Sequence, residues 1–218
     1  MLPASAVRPP QQARSRATLD RFVEAAVALV GERRFEDAPV AEIARRARAS
    51  VGAFYARFPD KDALVTFMNE RMFHAGRENW DAFLAADRWR DRGVREVVEG
   101  FVRHVVRKRR AHRGVLRALA LYARSRPAPG FLEHATALNR HLHRRLRELL
   151  LERKHEIANP APERAIAFGL LMVDSATRDA ILFDEVAQVP GKPSDALLAR
   201  ELSAAWLAYL GVRPRRKS

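Results

Sequence analysis

Cysteine is absent from the chain, which removes disulfides, thiolate nucleophiles and cysteine-held metals and suits a reducing compartment. Long apolar runs are missing too. Nothing approaches the roughly 18 apolar residues that span a bilayer, and the opening stretch MLPASAVRPPQQARSR lacks the apolar segment of a secretory signal. A cytoplasmic protein without membrane association is expected. Glycine and proline are sparse, 10 and 12 in 218 residues, and they fall in clusters. Between the clusters apolar residues recur at helical spacing with no sustained alternation, which argues against a sheet and predicts an all-α fold of about nine helices. Catalytic signatures are also lacking: there is no Walker loop, no GxGxxG after a strand, no GxSxG and no HExxH. Of the seven histidines, His134 and His141 lie one heptad apart, but His141 and His143 cannot face the same way on a helix. Structural or solvated roles are expected for them, with no metal and no cofactor. The chain reads as a non-enzyme.

What is present in excess is arginine. The net charge of +14, from 40 Lys+Arg against 26 Asp+Glu, favours a polyanionic partner, most simply nucleic acid. The distribution tempers that reading. Residues 1–61 hold eleven basic and seven acidic side chains, so a surplus of ten lies in residues 62–218. The basic runs RHVVRKRRAHR and RHLHRRLRELLLERK fit solvated helix faces, or a secondary surface for DNA or an acidic ligand.

Punctuation divides the chain into a Pro/Gln-rich arm over 1–12, a helical unit over 13–60, a larger helical unit over 61–211 and a basic tail over 212–218. The first helix, about Ser15 to Arg33, aligns Leu19, Phe22, Val23, Ala26, Leu29 and Val30 on one stripe. Pro39, suited to a first helical turn, opens a short second helix, Val40 to Ala47. Ser50 caps a third, Val51 to Phe58, and Asp60 a fourth, Lys61 to about Ala86. Further helices are expected near Gly93–Arg110, Ala111–Arg124, Gly130–His155, Pro162–Asp184 and Ser194–Leu210. The second and third are too short to persist alone. Packed on the first, they form a three-helix unit of helix-turn-helix type, whose last helix faces the major groove.

The run AAVALVGERRFEDAPVAEIARRARASVGAFYARFPDKDAL resembles the N-terminal DNA-binding domain of TetR-type transcriptional regulators. Phe35, Val40, Ile43, Ala44, Ala47, Ser50, Gly52, Tyr55, Phe58, Pro59, Lys61, Ala63 and Leu64 carry the resemblance. It implies a homodimer on a pseudo-palindromic double-stranded DNA operator, and a C-terminal domain that binds a small-molecule effector. By position, Tyr55 and Lys61 would contact phosphates, Ser50 would cap and face the backbone, Gly52 would permit close approach, and Val51, Ala53 and Ala56 would face bases. Arg45, Arg46 and Arg57 would border that surface. Val51 and Ala53 stand where Lys and Thr are common, and Pro39 replaces a usual Thr or Ser. The recognition face is therefore unusually apolar. Arg48 and Arg34 fall where the family places left-handed glycines after its second and first helices. Arg48 is expected to supply the charge that Val51 does not.

In the larger unit, PERAIAFGLLMVDSATRDAILF is apolar around most of its circumference, as is much of SDALLARELSAAWLAYLG. Such helices are buried on several sides, either in an intramolecular core or against a second copy. The dimer candidates are Phe168, Gly169, Val173, Ala176, Ala180, Leu198, Leu202, Ala205, Trp206 and Tyr209. Phe67, Trp80, Phe83, Phe101, Tyr122, Phe168 and Met172 are the candidates for lining an effector cavity; ordinary core packing is the alternative for each. The function expected is a ligand-responsive regulator, a repressor released by a small and largely apolar effector. The alternative is a helical dimeric interaction module with weak, shape-driven DNA binding.

Overall fold

The structure is a computed structural model, and it describes residues 13–32, 38–125, 131–183 and 193–213. The expected Arg34 turn, the N-terminal arm and most of the basic tail lie outside those residues. Among the described residues nine α-helices follow one another: α1 Ala13–Glu32, α2 Val40–Arg46, α3 Val51–Tyr55, α4 Lys61–Phe83, α5 Val94–Ala111, α6 Arg113–Ser125, α7 Phe131–Leu151, α8 Pro162–Thr177 and α9 Asp195–Leu210. No strand occurs among them. The all-α expectation holds, with most helix bounds within a few residues of those read from spacing.

Contacts divide the chain into two compact units, residues up to 75 with 114–135, and residues 76–113 with 136–218. The first is organised by aromatic rings. Phe22 of α1 meets Phe54 and Phe58 edge-on at 5.5 and 6.1 Å, and all three are fully buried. Leu19, Leu29, Ile43, Leu64, Met68, Leu119 and Tyr122 complete this core. Fully burying a side chain of this size contributes about 1.5–3 kcal/mol; packing on α1 is therefore what stabilises the seven-residue and five-residue helices α2 and α3.

As expected, α2 begins at Val40, with Pro39 the residue before it (φ −67°, ψ 151°); the Pro39 carbonyl accepts from Glu42 and Ile43 N–H at 3.0 and 3.3 Å. The third helix ends at Tyr55 rather than Phe58, because the N–H groups of Arg57 and Phe58 both turn back onto the Phe54 carbonyl, each at 2.9 Å. Asp60 caps α4 as expected, its Oδ1 accepting from Ala63 N–H at 2.7 Å.

In the second unit α5 buries Val94, Val97, Val98, Phe101, Val102, Val105 and Val106 against α8 and α9. Its start has no side-chain cap from Gly93. Glu156, 62 residues away, accepts from Val94 N–H at 3.0 Å instead. The expected helix to Asp184 changes winding at Arg178: residues Arg178–Phe183 form a wider π-helical turn, which shifts the carbonyl pairing. Arginines from α5 and α6 hold this region. Arg109 donates to the Asp174 carbonyl, the Asp174 carboxylate and Thr177 Oγ1, and Arg113 donates to the Ile181 carbonyl at 2.7 Å. The basic run on α5 is thus partly an internal clamp.

Candidate nucleic-acid interface

The turn between α2 and α3 is built by three backbone bonds. Ala47 N–H reaches Ile43 O at 2.9 Å, Arg48 N–H reaches Arg45 O at 3.1 Å, and Ala49 N–H reaches Ala44 O at 2.9 Å. The last two are the pairings of a Schellman motif, which needs a left-handed residue immediately after the helix cap. Arg48 supplies it, with φ 51°. Ala49 follows and packs against the core. Ser50 then opens α3, its hydroxyl accepting from Ala53 N–H at 3.0 Å.

These bonds fix which residues α3 presents. Phe54 points inward and is fully buried, whereas Val51 and Tyr55 are 40% and 54% exposed. Ser50, Gly52 and Ala56 are exposed with them, and Ala53 is half-buried. The outer face therefore combines one phenol hydroxyl with small and apolar groups, a surface able to meet thymine methyls and to approach a DNA backbone closely. The flanking cations differ. Lys61 is half-buried and donates to the Ala38 carbonyl at 3.0 Å, Arg57 donates to the Ala53 carbonyl at 3.0 Å, and Arg46 pairs with Glu42 at 3.5 Å. Arg45 and Arg48 are exposed.

Gly52 gives a direct probe of that face. A Cβ built there meets only Ser50 Oγ, at 3.8 Å, so the chain itself has room for alanine. Gly52→Ala is expected to leave unfolding stability unchanged or raise it by up to about 1 kcal/mol through helix propensity. It should also weaken DNA binding by about 1–3 kcal/mol, the cost of an extra methyl in a tight contact. Denaturant unfolding and DNA titration on the same protein check the pair; unchanged affinity would show that DNA does not approach there.

The remaining candidates separate between the units. Tyr122 is buried in the core of the first unit, and Phe67 packs against that core. In the second unit Trp80, Phe101, His104 and Phe83 form a contiguous aromatic row: Trp80 lies 5.3 Å from Phe101 and 4.8 Å from His104, and His104 stacks on Phe83 at 4.2 Å. Sequence reasoning did not single out His104, although its position among the valines of α5 places it on the buried face. Met172 is half-buried.

Of the dimer candidates, Gly169, Val173, Ala180, Leu202 and Trp206 are already buried within the unit. Ala176 and Leu198 are half-buried, and Ala205 is exposed. Phe168 and Tyr209 are also exposed, with their rings 5.3 Å apart. Leu171 and Leu197, absent from the candidate set, are 58% and 38% exposed. No group of three or more metal-ligating side chains occurs among the described residues.

A short capped helix set across a Schellman turn, held by a third helix with its outer face open, defines a helix-turn-helix protein. Residues 22–66 match the family model of the bacterial regulatory proteins of the tetR family. Solved structures resemble the chain over nearly its full length. A transcriptional regulator from Rhodococcus sp. Rha1 has a TM-score of 0.64 at 22% identity, covering 88% of this chain and 96% of its own. GusR of Salmonella enterica has a TM-score of 0.58 at 17% identity, with coverages of 89% and 95%. A TetR-family protein from Mesorhizobium loti has 0.57 at 19% identity, with 92% and 98%. A comparison with curated proteins gave no match. The match over residues 22–66 places the tetR-family sequence pattern on α1 to α4, and the fold is shared with these solved structures.

Proposed function

We propose that the protein is a repressor that binds a pseudo-palindromic DNA operator as a homodimer and is released by a small, largely apolar effector. The observation that carries the reading is the outward face of α3. Ser50, Val51, Gly52, Tyr55 and Ala56 are exposed on a helix anchored by the fully buried Phe54. Residues 13–60 would serve as the DNA-binding element, and the remainder would receive effector and partner. An apolar effector would be received among the aromatic side chains of the second unit, where Trp80, Phe83 and Phe101 pack together. The exposed Phe168, Leu171, Leu197 and Tyr209 support self-association through α8 and α9, as a two-fold interface uses one patch twice. Among the described residues no helix is long and apolar enough to cross a membrane.

A salt-resolved titration against DNA from upstream of its own gene and against scrambled DNA tests this. Sequence-specific sites typically bind at least about a thousandfold more tightly than non-specific DNA at physiological salt. Equal affinities would leave the second reading, an interaction module with shape-driven DNA binding, which the uncharged face of α3 favours.

A further inference from the structure

We infer that Arg48, in the turn between α2 and α3, touches the DNA backbone and supplies the positive charge the outer face of α3 lacks; the inference rests on the DNA-binding reading above. The first observation is conformational. Arg48 has φ 51° and is the one described non-glycine residue with positive φ, a region where a Cβ crowds the following carbonyl and glycine is free of that cost. A side chain kept at such a position contributes something other than turn stability.

The second observation concerns the cations around the recognition face. Arg46 is paired with Glu42, Arg57 is bound to the Ala53 carbonyl and Lys61 to the Ala38 carbonyl. The Arg48 side chain is exposed, and its guanidinium has no hydrogen-bond or ion-pair partner among the described residues, a state it shares with that of Arg45. The third is the charge of the face itself. Val51, Gly52, Tyr55 and Ala56, the exposed residues of α3 and its cap, carry no cation at neutral pH. A rival role is to complement the C-terminal dipole of α2. Arg45 and Arg46 already occupy that last turn, so the dipole does not require a third cation at the one left-handed position.

The test uses the full-length protein on upstream and scrambled DNA over a range of salt. Arg48→Asn keeps a residue that tolerates the left-handed region but removes the charge; Arg48→Gly also relieves the backbone. For each phosphate that Arg48 neutralises, both variants should bind about tenfold more weakly at about 0.1 M salt, with the salt dependence shallower by about 0.9. Arg48→Gly should at the same time raise Tm by about 2–4 °C. Wild-type affinity and slope in both variants would overturn the inference and leave Arg48 a tolerated substitution. The slope can be read on any duplex. A wild-type protein that binds both DNAs equally would therefore sink the operator reading alone, whereas one that binds neither sinks both.

Discussion

Gly169→Ala is expected to destabilise the second unit by about 2 kcal/mol, although alanine is the better helix former. A Cβ at position 169 would lie 1.9 Å from Nε1 of Trp206, 2.1 Å from Cδ1 and 2.2 Å from Cε2, far inside van der Waals contact. The indole cannot swing away: Trp206 is fully buried and meets Phe101 edge-on at 5.9 Å. Overpacking a dense core costs about 1–3 kcal/mol, sometimes more, against a propensity gain of about 1 kcal/mol for Gly to Ala; a clash with a large ring in a closed site belongs at the upper end. Because the clash is with one ring, Trp206→Leu should recover much of the loss in the double variant, giving a favourable coupling energy. At about 2–4 °C per kcal/mol for a chain of this size, Gly169→Ala should lower Tm by roughly 4–8 °C. A wild-type Tm would mean that α8 and α9 slide apart at little cost. The unpaired buried Trp206 N–H sharpens the point, since the residue is kept for its volume and not for a hydrogen bond.

The sequence already contained most of what positions the candidate site, because that information is local. Ser50 and Asp60 stand one residue before apolar-periodic stretches, and each caps its helix. Arg48 sits at the end of an eight-residue pattern where only a left-handed residue lets the next helix start, and it adopts that conformation. What was not legible depends on partners distant in the chain. The cap of α5 comes from Glu156, and the π-helical turn at Arg178–Phe183 has carbonyls near it satisfied by Arg109 and Arg113. Apolar periodicity also could not divide α8 and α9 into inner and outer faces. Gly169 and Trp206 look like small and large interface residues until their mutual contact appears, and Leu171, whose exposure marks the open face, is indistinguishable in sequence from buried Leu170. The difference is tertiary: a helix apolar all round does not reveal which neighbour covers which side.

Stability is expected to fall as pH drops from about 6.5 toward 5, with His104 as the main cause above the carboxylate range. His104 is 5% exposed within the aromatic row. Burial first, then the charges of Arg107, Lys108 and Arg88, pushes its pKa down to about 4. The hydrogen bonds agree. Arg107, which can only donate, lies 3.1 Å from Nδ1, so the ring accepts there and its Nε2–H donates to Asn79 Oδ1 at 2.8 Å. A second ring proton would face the guanidinium. Unfolding releases the imidazole to its ordinary value near 6.5, so below that pH the unfolded chain binds a proton that the folded chain refuses. Stability therefore rises with pH across the window, and acidification costs up to about 1.4 kcal/mol per pH unit from this one group. Summed to pH 4 the effect is on the order of 3 kcal/mol. His143, also held low chiefly by burial with Asp174 opposing, acts in the same direction. His104→Leu removes the proton acceptor while keeping an apolar side chain in the row. Urea unfolding at about pH 7, 6 and 5 should therefore show a shallower pH slope in the variant, whatever its stability at neutral pH. Parallel slopes for the two proteins would mean that His104 binds its proton equally in both states, against the geometry that surrounds it.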